Sequence, residues 1–347
     1  MKESSMLRLS LLAMFAAMIG LVQPLRAGGP AKRASSGGLL LVTNKGDRTL
    51  SIVDPVAGKE IATVPESGIT GHEVIASPDG RTAYVPIYGD SGVGQPGTDG
   101  QTLDVIDIAA RKRVATIDFG RPERPHCAKF GPDGMLYVTT ELSNDITIID
   151  PRTNQIVGRI PTGQPESHML AITRDGRRGY TANVGPGTVS VLDLAEHKKL
   201  NVIPISSATQ RISVSPDDSM AFTSDQTKPQ LAVIHTASNA VTWVPMPGIG
   251  YGTAATPDGH WLLVALIKIN KVGAIDLGSM KLVRTFDVPK APQEVLVQPD
   301  GQLAYVSCDA SRKIAVIDLK GAPANWKVTK LIDVGRGADG LAWAAAP

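Results

Sequence analysis

Apolar and polar positions along this chain alternate in short runs broken by turn residues, most plainly over residues 168–194. An apolar run ends at Thr173-Arg174-Asp175-Gly176, where Gly176 can take a positive φ and Asp175 can bond its own backbone. A second run, 179–183, breaks at Gly185-Pro186-Gly187. A third, 188–194, is β-branched and alternates as Val189-Ser190-Val191-Leu192-Asp193. Three short strands are predicted here, and the rest of the chain repeats them.

The turn aspartate recurs at positions 79, 133, 175, 217, 258 and 300, with gaps of 54, 42, 42, 41 and 42 residues. A period of about 40–45 residues with four strands per unit is that of a propeller blade. A second marker closes each third strand: Asp54, Asp107, Asp150, Asp193, His235, Asp276 and Asp318. A fourth strand is predicted after each, over 61–64, 114–117, 156–160, 201–205, 241–244, 282–286 and 327–332. The two ends are incomplete. Gly340-Leu341-Ala342-Trp343 matches the first-strand segment Met169-Leu170-Ala171-Ile172 but has no strand after it, while 39–44 reads as a second strand with no first strand before it. Joining the halves makes one blade and removes the last exposed sheet edges. The expected fold is all-β: a seven-bladed β-propeller of four-stranded blades over 38–347, its final blade closed by strands from both termini.

The second strands carry a motif. They read Leu41-Val42-Thr43-Asn44, Tyr137-Val138-Thr139-Thr140, Tyr180-Thr181-Ala182-Asn183 and Tyr305-Val306-Ser307-Cys308. This resembles the Tyr-Val-Thr-Asn repeat of the YVTN family of bacterial β-propellers, over essentially all of 38–347. Blades 4 and 5 depart from it, with Phe222-Thr223-Ser224-Asp225 and Leu263-Val264-Ala265-Leu266. The resemblance implies the fold. Through lactonase-like and cytochrome d1-like relatives it also implies two chemical alternatives, a metal-assisted hydrolase or lyase and a tetrapyrrole-binding protein. Propellers host unrelated functions, so it does not choose between them.

The N-terminus reads as a secretory signal over 1–27. Lys2 and Arg8 give the charged start, 9–22 the apolar core, and Leu25-Arg26-Ala27 a cleavage site. The run is short for a membrane span, and no Cys follows it for lipid attachment. Residues 28–37 are expected to be a flexible lead-in. A periplasmic or secreted chain with no span after cleavage follows. Lys2, Arg8 and Arg26 against Glu3 account for the whole formal charge of +2, which leaves the remainder near neutral. Nucleic acid is therefore not an expected partner; a small molecule or a protein at the channel face is, and the chain is expected to be a monomer. Cys127 and Cys308 fall in non-adjacent blades and are expected to be free and buried. No Cys-x-x-Cys-His is present for covalent haem, and no Gly-x-Ser-x-Gly elbow.

Candidate chemistry gathers where the chain enters each innermost strand. Counting back seven residues from each turn aspartate gives His72, His126, His168, Gln210, Tyr251 and Gln293, and alignment of the last half-blade adds Asp339. Three of the six histidines thus take equivalent places in consecutive blades. Of the others, His197 and His260 sit in turns and His235 replaces a turn aspartate. A polar ring in a channel needs partners. It can be a water-filled funnel, a site for a small ligand or cofactor, or three imidazoles on a divalent metal such as Zn or Cu. Alternation points Cys127 and Met169 away from the channel. Arg124, with Arg121 and Glu123, adds charge beside His126 and suits an anionic ligand. Glu141 and Asp309 begin loops on the same face. The long first gap falls in a Gly-rich loop, 88–101, expected to overhang the ring as a lid or a tolerated insertion. Binding or scaffolding at the channel mouth is favoured over catalysis, with an enzyme using the three histidines as the alternative.

Overall fold

A computed structural model describes residues 37–346. The signal sequence and residues 28–36 of the lead-in lie outside the described residues. Seven four-stranded antiparallel sheets follow one another around a ring. Blade 1 runs from Ile75–Ala76 through Thr82–Gly89 and Asp99–Asp107 to Lys112–Asp118, and blades 2 to 6 repeat that order outwards. The innermost strands of blades 2 to 6 are Pro125–Phe130, Ser167–Ile172, Thr209–Val214, Gly250–Ala255 and Pro292–Val297. In blade 7, Ala338–Ala345 is innermost and pairs with Gly38–Asn44, which leads to Thr49–Asp54 and Lys59–Pro65. The mixed closure is as expected. No described helix is long and apolar enough to cross a membrane.

The core lies between blades. Middle strands are buried on both faces, as in Leu136–Thr140 and Asp145–Asp150, which explains near-continuous apolar runs where simple alternation fails. Outer strands are mostly exposed and are blunted as edges. Six of the seven carry a bulge, at Ile61, Val114, Val157, Leu200, Val283 and Thr329. The outer strand of blade 4, Ala240–Pro245, pairs without one and has no charged residue.

A second set of bulges matters more for function. In blades 2 to 7 the innermost strand carries an extra residue at or beside the ring position. A bulge re-aims side chains and breaks the two-residue alternation. In blades 3, 4 and 6 the position after the ring residue, Met169, Arg211 or Glu294, thereby lines a cavity on the axis.

Candidate functional site

Hydroxyls of the second strands hold the ring positions in place. Thr43 Oγ1 donates to the His72 carbonyl at 2.7 Å, Thr139 Oγ1 to that of His168 at 2.8 Å, and Ser224 Oγ to that of Tyr251 at 3.1 Å. Each bond crosses from one blade to the next. The third residue of the repeated motif therefore orients the ring of the following blade.

His72, His126, His168, Gln210, Tyr251 and Asp339 line one cavity of about 230 Å³ at the channel mouth. The imidazoles are close together: His126 and His168 are 3.5 Å apart between ring centroids with 30° between planes, and His72 meets His126 edge-on at 5.5 Å. Tyr88 packs against all three, at 4.8, 5.1 and 5.6 Å. Nδ1 of His126, Nδ1 of His168 and Oε1 of Gln210 are buried without a hydrogen-bond partner. A buried polar atom left so costs about 1–3 kcal/mol.

Burial is the main influence on the three imidazoles. It holds His72 down at about 3 and depresses His126 and His168, so all three are neutral at pH 7. Unfolded imidazoles take up protons at about 6.5, whereas the folded ones resist until lower pH, so stability is lost as pH falls from about 6.5 towards about 3. His72→Gln should flatten the urea-unfolding profile between about pH 6.5 and 4, by up to about 1.4 kcal/mol per pH unit. An unchanged slope would remove His72 from this account.

The Gly-rich loop overhangs the ring, as expected: Ser91, Gly92 and Val93 line the cavity. Arg124 fastens it. Its Nε meets Asp99 at 2.5 Å, its Nη2 donates to the Gln95 carbonyl at 2.7 Å, and its Nη1 meets Glu141 at 3.1 Å. Glu141 accepts from the Tyr88 hydroxyl at 2.5 Å and the Gly94 N–H at 3.2 Å, and its Oε2 lies 3.5 Å from His168 Nδ1. Burial alone would raise the Glu141 carboxyl, but the facing His168, Tyr88 and Gly94 outweigh it and hold it at about 2. A Cβ on Gly94 would come within 2.4 Å of Glu166 Oε1, and φ there is 66°.

Several expectations need correction. Arg124 does not line the cavity; each of its three guanidinium nitrogens is engaged, with Asp99, the Gln95 carbonyl or Glu141. Arg121 is exposed, paired with Glu123 at 2.8 Å, and is not among the residues that line the cavity. Gln293 stands behind the cavity, 3.3 Å from Asp309. Met169 lines the cavity where alternation pointed it away, because the strand bulges just before it. Cys127 does turn into the core between blades, and both cysteines are free and buried. His126 and His168 lie face to face with His72 edge-on to them, and among the described residues no group of three His, Cys, Asp or Glu is arranged to hold a metal ion. A tetrapyrrole exceeds the cavity, since sites for drug-sized ligands begin at about 300 Å³.

The charged floor was not anticipated. Arg211, 4% exposed, lies 2.7 Å from Glu73, 2.6 Å from Asp339 and 3.4 Å from Glu294. Lys45 joins Asp339 at 2.9 Å and Asp309 at 3.3 Å. Burial works against the Asp339 carboxylate, yet Lys45 and Arg211 hold it at about 2. Burial pushes Glu73 well above the usual range against the pull of Arg211. A signal was present. Glu73, Arg211 and Glu294 each directly follow a ring position, and Lys45 begins its loop as Glu141 and Asp309 begin theirs.

No family model matches the sequence, and no curated protein matches it. A solved structure of hydrazine synthase from Kuenenia stuttgartiensis is similar, with a TM-score of 0.72 at 20% identity over 87% of this chain and 99% of that one. At that identity the likeness establishes the fold: this chain is a seven-bladed β-propeller.

Proposed function

We propose that this chain is an exported, YVTN-type propeller that binds a small, neutral, planar polar molecule in the channel-mouth cavity. The observation that carries this reading is the pair of unpartnered buried atoms, His126 Nδ1 and Gln210 Oε1, around one cavity. Tyr88 and Tyr251 offer apolar ring area to such a ligand. The nearby charges offset one another, Lys45 and Arg211 against Asp339, Asp309 and Glu294, and the imidazoles are uncharged, so no net charge is demanded of the ligand. The apolar run at 9–22 with Lys2 and Arg8 before it supports export, and the second-strand motif supports the family.

The test is a thermal-shift screen of neutral heterocycles, purine and pyrimidine bases among them, against wild type and a His126→Ala/His168→Ala variant. At least one compound is expected to raise the wild-type Tm by several degrees and leave the variant unmoved. If none does, and the variant is as stable as wild type, the ring is a water-filled funnel.

A catalytic reading is favoured by one observation, the ionised Glu141 beside His168 Nδ1. A carboxylate there holds the tautomer with the proton on Nδ1 and leaves Nε2 as a general base for a hydroxyl or water. Hydrolysis of simple lactones that disappears in His168→Asn would select it.

A further inference from the structure

The channel continues past Arg211. On the side of the Pro-Asp-Gly-type turns a second cavity of about 460 Å³ opens, and Arg211 and Met169 line both. Its lining is mixed, with Ile172, Val214, Val297 and Trp343 supplying apolar wall and Ser213, Thr253 and Glu294 among the polar residues. One residue is out of character. Lys129 pairs with Tyr137 in the place that Ile75, Ala171, Ser213, Ala254, Leu296 and Ala342 take in the other blades. It is the sole charged side chain in that layer.

Lys129 makes no side-chain hydrogen bond and no ion pair with any described residue. Burial works to neutralise it, but the Cys127 thiol, Glu294 and Glu73 outweigh that and keep it cationic. In the same lining, Nε of the buried Arg211 has no hydrogen-bond partner, and its Nη1 faces only Glu294, at 3.4 Å. The carboxylate of Glu294 also accepts from the Leu341 N–H at 2.7 Å. The floor of this cavity thus holds donors without acceptors of their own, since Ser213 and Thr253 in the lining are bonded to each other at 2.6 Å.

We propose that this second mouth is a binding site for an organic monocarboxylate with an apolar body. The carboxylate sits on Lys129 and the free edge of Arg211, and the aliphatic or aromatic body lies against Ile172, Val214, Val297 and Trp343. Charge-assisted hydrogen bonds set the direction of entry, and apolar contact supplies the remaining affinity. The site borders the channel-mouth cavity at Arg211 and stands whether or not the ring there binds a ligand.

Octanoate is the probe, with 1-octanol and acetate as comparators, followed by calorimetry and by tryptophan fluorescence of the purified protein. Octanoate should bind about tenfold tighter than either comparator, as one or two charge-assisted bonds imply. The fluorescence change should vanish in Trp343→Phe. Lys129→Gln should weaken octanoate by about tenfold while leaving octanol unchanged, and Lys129→Arg should retain octanoate. Equal affinity for octanoate and octanol would overturn the proposal, as would an unaltered octanoate affinity in Lys129→Gln. Should Lys129→Gln fail to fold, the comparison of octanoate with octanol on wild type decides alone.

Discussion

Exchanging Arg211 for leucine should destabilise the fold by about 3–5 kcal/mol, the cost of stripping a buried charge of its partner. Three carboxyl groups depend on this guanidinium: Glu73, Asp339 and Glu294. Lys45 remains only for Asp339. Burial already pushes Glu73 towards its neutral form, and the other two would follow once the cation is gone. A carboxyl whose folded pKa is raised penalises folding at high pH and is relieved as pH falls through that raised value. The deficit should therefore be larger at pH 8 than at pH 5 in urea melts. A loss under about 1 kcal/mol would show that the cluster contributes no net stability, and a deficit equal at both pH values would assign the loss to packing.

Deleting the final strand should be worse. A chain ending at Gly337 loses the innermost strand of blade 7, and with it the buried Ala338, Leu341, Ala342 and Ala344. Gly38–Asn44 loses its inner partner and exposes an unpaired edge. Asp339 departs from Arg211 and Lys45, and Glu294 loses the Leu341 N–H. Against a total stability of about 5–15 kcal/mol, these losses together should leave no cooperative folded state. Near-UV circular dichroism and thermal melting will show it, and a peptide of residues 338–347 added in trans should restore part of the signal. A truncated chain that melts cooperatively within a few degrees of wild type would mean that the ring does not need its closing strand.

The ring was legible because every inner strand has nearly the same length back from its turn aspartate. Counting seven residues from Asp133 or Asp175 lands on His126 or His168 in the cavity. Counting from Asp300 lands on Gln293, whose side chain has turned to Asp309, a partner sixteen residues away that periodicity does not announce. Arg124 was placed correctly in space and given the wrong task. Its partners Asp99 and Gln95 lie in the preceding blade's loop, so its role depends on how two blades meet. Arg211 and Glu294 escaped because strict alternation turns their side chains away from the axis, and only the bulges of blades 4 and 6 bring them back; Glu73 precedes the short inner strand Ile75–Ala76 of blade 1, where alternation gives no guide. Nothing in composition signals a one-residue bulge; two charged residues inside inner strands were the trace it left.

Arg211 stands between the two cavities, with one edge on Asp339 above and the other facing Lys129's vestibule below. A guanidinium carries one delocalised charge, so an anion drawn to its free Nε from the lower side shares that charge with the aspartate held by Nη2 on the upper side. Reciprocity is then unavoidable: whatever tightens or loosens Asp339 at one mouth must alter anion affinity at the other by the same factor. The two ends of the axle are linked by one shared ion, with no hinge or sliding element needed to connect them.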